Sequence, residues 1–429
     1  MTHCLRTVSR LVLMMFLGTP CMLQAAQTDF EVIELVLPGS GVGSQPDLVS
    51  APDGSLALSW VEKLDTGHRL QFSQLQSPAG KKKSAISEPD WTSVQTIASG
   101  DDWFVNWADT PHLVVFRDGT LWAHWLRKNG SGVYDYGVAL VRSTDQGRTW
   151  SEPIRLEPRG ARLDYGFVSL WEDSDHSLGI AWLDSRQKQA PAEGGHQHHD
   201  HAGGAMMLRA AKFDAEGART EEWALDSATC DCCVTSVAVT DVGAVLAYRG
   251  RTAEEIRDIR LVRFNGTSWS SPVTVHADNW NFAGCPVNGP SVAASEKNVW
   301  VGWYTEADGQ PSIRLARSTG VGDAFEAPQK VAEGAGLLGR VNLALDADSL
   351  WMTWLIEATR DNAQQLMLAR FDARSGKRIQ QGAVAKLTAR GHASGLPQIQ
   401  THGGEAWLVW TDTIEGHSQL RGARVRPQP

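Results

Sequence analysis

The chain has 429 residues, of which 42% are hydrophobic and 21% charged, with a formal net charge of −9; this balance fits a globular protein with its own core and excludes a disordered chain. The negative charge, with Lys81-Lys82-Lys83 as the one basic block, argues against nucleic acid as a partner. Beyond the N-terminus no apolar run approaches the roughly 18 residues needed to cross a bilayer, so no membrane span is expected.

In chain order, Arg6 and Arg10 precede an apolar run from Leu11 to Leu17, and the small residues Ala25 and Ala26 follow. Residues 1–26 therefore read as an export signal, which predicts a periplasmic or secreted protein starting near residue 27. Gly18-Thr19-Pro20 before Cys21 is a poor acylation context, so a soluble product is expected rather than an anchored one. Loss of Arg6 and Arg10 takes the charge from −9 to −11, and loss of Cys4 and Cys21 leaves Cys230, Cys232, Cys233 and Cys285. Four cysteines cannot staple a chain of this length, so apolar burial must hold it together.

From residue 55 onward a short pattern recurs: a turn residue, then alternating apolar residues ending in an aromatic. It begins with Ser55-Leu56-Ala57-Leu58-Ser59-Trp60 and Thr120-Leu121-Trp122-Ala123-His124-Trp125. Further copies end at Trp182, Tyr248, Trp303, Trp354 and Trp410. A second strand with a basic end follows each copy, as in Val138-Ala139-Leu140-Val141-Arg142, and a proline-led strand often precedes it, as in Pro46-Asp47-Leu48-Val49. Period-2 alternation marks strands. Four strands recurring about every 50 to 65 residues predict the blades of a β-propeller.

The fold expectation is therefore all-β: a single seven-bladed propeller over residues 27–429, with six blades as the alternative if one unit is degenerate. The last unit lacks an outer strand, and Phe30-Glu31-Val32-Ile33-Glu34-Leu35-Val36 is expected to supply it, so that no sheet edge is left open. The aromatics at the ends of the repeats are assigned to packing between blades.

In the second unit, Ser143-Thr144-Asp145-Gln146-Gly147-Arg148-Thr149-Trp150 matches the Asp-box pattern Ser-x-Asp-x-Gly-x-x-Trp. With the blade repeats, this makes the chain resemble the sialidase-like propeller superfamily over nearly its whole length. Physically, Ser143 and Asp145 are placed to accept turn amides, Gly147 to take a positive φ and Trp150 to fill the space between strands. The resemblance implies a pocket in which arginines grip a carboxylate, a tyrosine–glutamate pair supplies the nucleophile and an aspartate acts as acid and base. The closest counterpart of the family's first arginine motif is Asp109-Thr110-Pro111, where an anion replaces the cation and would repel an anionic sugar.

Asp109 and Asp164 are the candidate acid–base residues, with loop-capping as the competing explanation. Arg249 and Arg340, together with Arg251, are candidates for binding a small-molecule ligand. The long loop at about 184–204 carries His196, His198, His199 and His201, a density that suits copper, zinc or nickel, or else a solvated insertion. Cys230, Cys232 and Cys233 lie in the passage from blade 3 into blade 4, and Cys285 lies in the passage from blade 4 into blade 5.

All three segments thus fall on one face of adjacent blades. Disulfides, a soft-metal site and a redox site are all compatible with the cysteines. In an extended strand, Cys230 and Cys232 would point away from Cys233, so one ion could not take all three without a kink. Sulfur and histidine on one exported face favour copper, with zinc or no metal as alternatives. The leading expectation is a Cys/His metal-binding or redox site on a propeller. A sialidase-type glycoside hydrolase and a scaffold for protein partners are the other readings.

Overall fold

A computed structural model describes residues 30–76, 89–158, 160–161, 164–173, 176–188, 205–358 and 363–427. The segments carrying the expected export signal and the four-histidine tract lie outside the described residues. The rest forms seven four-stranded antiparallel sheets, each running outward from an inner strand, as expected from the repeat. Blade 1 comprises Ser44–Ser50, Leu56–Lys63, His68–Gln74 and Gln95–Gly100; blade 4 comprises Ser236–Thr240, Gly243–Arg249, Ile259–Phe264 and Val273–Thr274.

The seventh sheet closes with the N-terminal strand Phe30–Glu34, which pairs antiparallel with His417–Pro427 in the register Phe30↔Pro427 to Glu34↔Ala423. Joining the chain ends in one sheet converts a spiral of blades into a ring. The six-bladed alternative is thereby excluded.

Strand position within a blade dictates the composition seen in the sequence. Second strands are covered on both faces by neighbouring blades, so Leu178–Asp184 is buried throughout. Outer strands such as Gln95–Gly100 alternate between partly buried and exposed. Each of seven apolar clusters straddles a pair of adjacent blades, for example Trp354 with Tyr304 and Leu315 between blades 5 and 6. Trp60, Trp125, Trp182, Trp303, Trp354 and Trp410 are all buried, in line with their assignment to packing. Truncating any one to alanine would cost about 3–5 kcal/mol.

The Asp-box of blade 2 has the expected turn. Ser143 Oγ accepts the Gly147 N–H at 2.9 Å and donates to Asp145 at 2.8 Å, while Asp145 accepts the Thr149 N–H at 2.9 Å. Gly147 sits at φ +82°, and a Cβ there would lie 2.1 Å from the Phe72 ring. Trp150 packs edge-on against that ring.

Polar groups at the inner-strand entrances clasp blade 1 to 2, 2 to 3, 4 to 5 and 5 to 6. Asp47 accepts the Leu113 N–H, Asp109 the Phe167 N–H, Ser236 the Val292 N–H and Ser291 the Leu343 N–H, at 2.7 to 3.0 Å. Inside this collar runs a polar channel of about 230 Å³, lined by Asp47, His112, Asn288, Arg340, Asn342 and Gln398 among others.

Candidate functional site

The cysteine turn is built where blade 3 hands over to blade 4. The outer strand of blade 3, Arg219–Thr229, does not stop at its own sheet. Thr229 bridges to Gly250, the Arg251 N–H donates to Ala228 O, and the Cys230 N–H donates to Arg249 O at 3.0 Å. These bonds pin the start of the turn onto the end of blade 4's second strand.

Residues 231–232 then turn rather than continue extended. This is the departure from the strand geometry expected of the triplet, and it supplies the kink: the three sulfurs of Cys230, Cys232 and Cys233 lie within 4.8 Å of one another. Cys230 Sγ is 2.8 Å from Cys233 Sγ and 3.9 Å from Cys232 Sγ. Cys232 is disulfide-bonded to Cys285, with the Cα atoms 6.1 Å apart. The four cysteines of the described residues are thus linked, three by proximity and the fourth by its bond to Cys232.

Cys285 can arrive there because its loop packs backbone to backbone against the turn. A Cβ on Gly289 would sit 2.1 Å from Val234 O, so that position tolerates only glycine. From the same loop, Asn288 O accepts Arg249 Nε at 2.8 Å, and Asn288 Oδ1 accepts the Arg340 N–H at 2.8 Å. Val234 and Asn288 also line the central channel. The cysteine site and the channel are contiguous.

A cradle of charge surrounds the sulfurs. Asp231, inside the triplet, pairs with Lys188 at 2.9 Å and faces Arg251 at 3.6 Å. Glu255 bridges Arg251 and Arg257, each at 2.6 Å. Arg249, Arg251 and Arg257 are buried, which keeps their field unscreened near the thiols.

Burial by itself opposes ionisation of Cys230. It is outweighed by hydrogen bonds from the Cys233 thiol and the Cys232 amide and by the Arg249 and Arg257 guanidiniums, which bring the thiol down to about 7. Burial, reinforced by the neighbouring Cys230, pushes Cys233 upward. An acidic thiol beside buried cations is the environment of a reactive or metal-ligating sulfur.

Asp109 is only 2% exposed; one oxygen accepts the Phe167 N–H at 2.7 Å and the other faces Tyr136 Oη at 3.4 Å. Burial raises its pKa to about 7, and its place is that of a clasp between blades 2 and 3. Asp164 is raised by burial against the pull of Lys188. The Arg249 guanidinium is held by the carbonyls of Asn288, Arg257 and Tyr304 and lies over Trp280, so it joins loops rather than facing a ligand. Arg340 reaches the channel, donates to the Ser394 hydroxyl and the Gly391 and Gly395 carbonyls, and stacks on Trp107 at 4.7 Å. Burial lowers its pKa to about 10.

His196, His198, His199 and His201 fall outside the described residues. The flanks of their segment are informative: Lys188 pairs with Asp231, and Met206 pairs with Thr229, the residue before Cys230. Both flanks thus meet the cysteine turn. Sequence reasoning missed Lys188, Asp231, Glu255 and Arg257; for Glu255 and Arg257 the signal was the dense run of charge from Arg249 to Asp258 next to a strand end. It also missed the channel pair His112 and Asp47 at 3.1 Å, with buried His124 beside it.

Neither protein-family models nor curated proteins match this chain. Solved structures do. A protein of unknown function from Dyadobacter fermentans DSM 18053 is 14% identical over 92% of this chain and 99% of its own, with a TM-score of 0.50. The polysaccharide lyase Uly1 is 8% identical over 91% of each chain, with a TM-score of 0.51. The NanB sialidase of Streptococcus pneumoniae is 8% identical over 86% of this chain and 83% of its own, at a TM-score of 0.46. At such identities the likeness is one of fold alone, that of a β-propeller.

Proposed function

We propose that this chain is an exported metal-handling propeller that binds copper(I) through Cys230, Cys232, Cys233 and Cys285, with zinc as the alternative ion. The observation that carries the reading is the convergence of the sulfurs from two loops: three within 4.8 Å of one another, and the fourth joined to one of them. The donor set fits a soft ion. Four thiolates about 2.3 Å from one tetrahedral metal lie about 3.8 Å apart; the Cys230–Cys232 separation of 3.9 Å meets this, and the Cys230–Cys233 separation of 2.8 Å opens by about 1 Å as the ion enters.

In this reading the four-sulfur site forms once the Cys232–Cys285 bond is reduced, because a disulfide sulfur is no thiolate. Arg249, Arg251 and Arg257 then offset the negative charge of a metal–thiolate centre in a buried place where water does not. His196, His198, His199 and His201 provide harder donors on a segment whose flanks meet the turn, suited to receiving copper before sulfur takes it. Copper is preferred to zinc because sulfur and imidazole together serve both of its oxidation states.

The test is copper(I) titration of the reduced, mature protein against a competing chromophoric chelator. At least one tightly held copper(I) per chain is expected, sharply weakened in a Cys230→Ser, Cys233→Ser variant. A reduced wild-type protein that never competes with the chelator would overturn the proposal.

A further inference from the structure

The four sulfurs are not equivalent, and their order in depth has a chemical consequence. Cys285 is exposed, Cys232 half-buried, and Cys230 and Cys233 are 1% and 2% exposed. The path from solvent inward runs Cys285 to Cys232 by a covalent bond, Cys232 to Cys230 at 3.9 Å, and Cys230 to Cys233 at 2.8 Å. The inner pair has Cys-x-x-Cys spacing across a turn, which can close a disulfide without moving the backbone far. A surface disulfide therefore sits directly above a buried dithiol.

We infer that the site is a thiol–disulfide relay that moves two electrons between a buried cysteine pair and the surface pair, where external thiols exchange with it. In the first step the Cys230 thiolate attacks Cys232 Sγ; the Cys230–Cys232 bond forms, the Cys232–Cys285 bond breaks, and Cys285 leaves as a thiolate. In the second step the Cys233 thiolate attacks Cys230 Sγ and expels Cys232. The net change oxidises the inner pair and reduces the outer pair. Two thiol protons pass from the inner pair to the outer, and no outside oxidant is consumed.

At the surface, the thiolate of a small or protein-borne thiol attacks the exposed Cys285 sulfur. A mixed disulfide forms and Cys232 is released as a thiolate; a second thiol attacks the outer sulfur of that mixed disulfide, frees Cys285 and carries the disulfide away, which leaves the four cysteines reduced until an external disulfide recharges the outer pair. The Cys230 position is central to both internal steps. The relay uses the same sulfurs as the proposed copper site but in the two-electron-oxidised state, and it does not depend on metal.

The experiment uses mature protein freed of metal by chelation and equilibrated in glutathione redox buffers. Samples are acid-quenched, alkylated before and after reduction, and mapped by peptide mass. Wild type is expected to show both the Cys232–Cys285 and the Cys230–Cys233 bond at the two-electron-oxidised level, with glutathione adducts at Cys285. Cys230→Ser should retain only Cys232–Cys285, and Cys233→Ser should accumulate Cys230–Cys232.

Thermal unfolding of each variant alongside wild type separates lost chemistry from lost fold, and the wild-type map decides the matter without any variant. Cys230 and Cys233 remaining fully alkylatable at every ratio that permits the Cys232–Cys285 bond would overturn the relay. Such a result with copper(I) binding intact removes the relay alone. An intact relay in a protein that never binds copper(I) removes the metal reading alone.

Discussion

The two motifs that stand out in the sequence occupy turns of opposite economy. In the Asp-box of blade 2, every polar group finds its partner within a few residues: Ser143 serves Gly147 and Asp145, and Asp145 serves Thr149. Those bonds hold Asp145 down at a pKa of about 2. The cysteine turn closes little within itself. Its sulfurs face one another, its aspartate is held by Lys188 and Arg251 from blades 3 and 4, and its fourth sulfur comes from the blade 4–5 passage. A motif satisfied internally is a fastener. A motif that gathers reactive groups from several elements is a candidate for chemistry.

That contrast is open to direct attack, and the largest effect expected is on metal. The double variant Cys230→Ser, Cys233→Ser should lose copper(I) affinity by more than about 100-fold, beyond what outer-shell changes cost, in chelator competition; Ser143→Ala should leave it unchanged. Equal loss in both would erase the distinction between the two turns.

Asp109 tests whether a motif-like residue at the rim is fastener or catalyst. Its folded pKa of about 7 stands above the unfolded value of 3.8, so its contribution is fully present below about pH 4 and is lost as pH rises toward 7. Asp109→Asn keeps an oxygen for the Phe167 N–H. Compared with this variant, wild type should lose on the order of a few kcal/mol across that window, read as the difference between two Tm-versus-pH curves. Parallel curves would remove the clasp assignment.

A smaller effect is expected from the cradle. Arg251→Met removes a cation that holds Glu255 and faces Asp231, and should weaken copper(I) about tenfold at unchanged stoichiometry, again by competition. Smallest of all, Ser143→Ala should cost about 1 kcal/mol of stability in denaturant unfolding, since it removes one acceptor for the buried Gly147 N–H. A larger metal effect than stability effect there would contradict the fastener role.

Much of the fold was legible in the sequence because propeller blades repeat one constraint. A second strand buried on both faces must be apolar with small residues interspersed, and seven copies of that demand, from Leu56 to Trp410, count the blades. Ring closure was legible as well, since a final unit short of one strand and an N-terminal strand without a sheet can satisfy each other. The placement of Cys230 and Cys285 on one rim followed from the same count.

The details of the site were not legible, for reasons rooted in tertiary contact. Whether residues 230–233 run extended or turn depends on Thr229 bridging to Gly250 and on Gly289 packing against Val234, pairings distant in sequence. Arg249 looked free for a ligand because its three carbonyl partners lie 8, 39 and 55 residues away.

The sequence by itself determined that the chain is a ring of seven blades and that sulfur gathers at one end of it, because repetition and composition are local properties. Only the tertiary structure decided which sulfur is outside, which are buried beneath it and which cations face them. Depth and proximity are created when loops from blades 3, 4 and 5 pack together, and they are written in none of those loops alone.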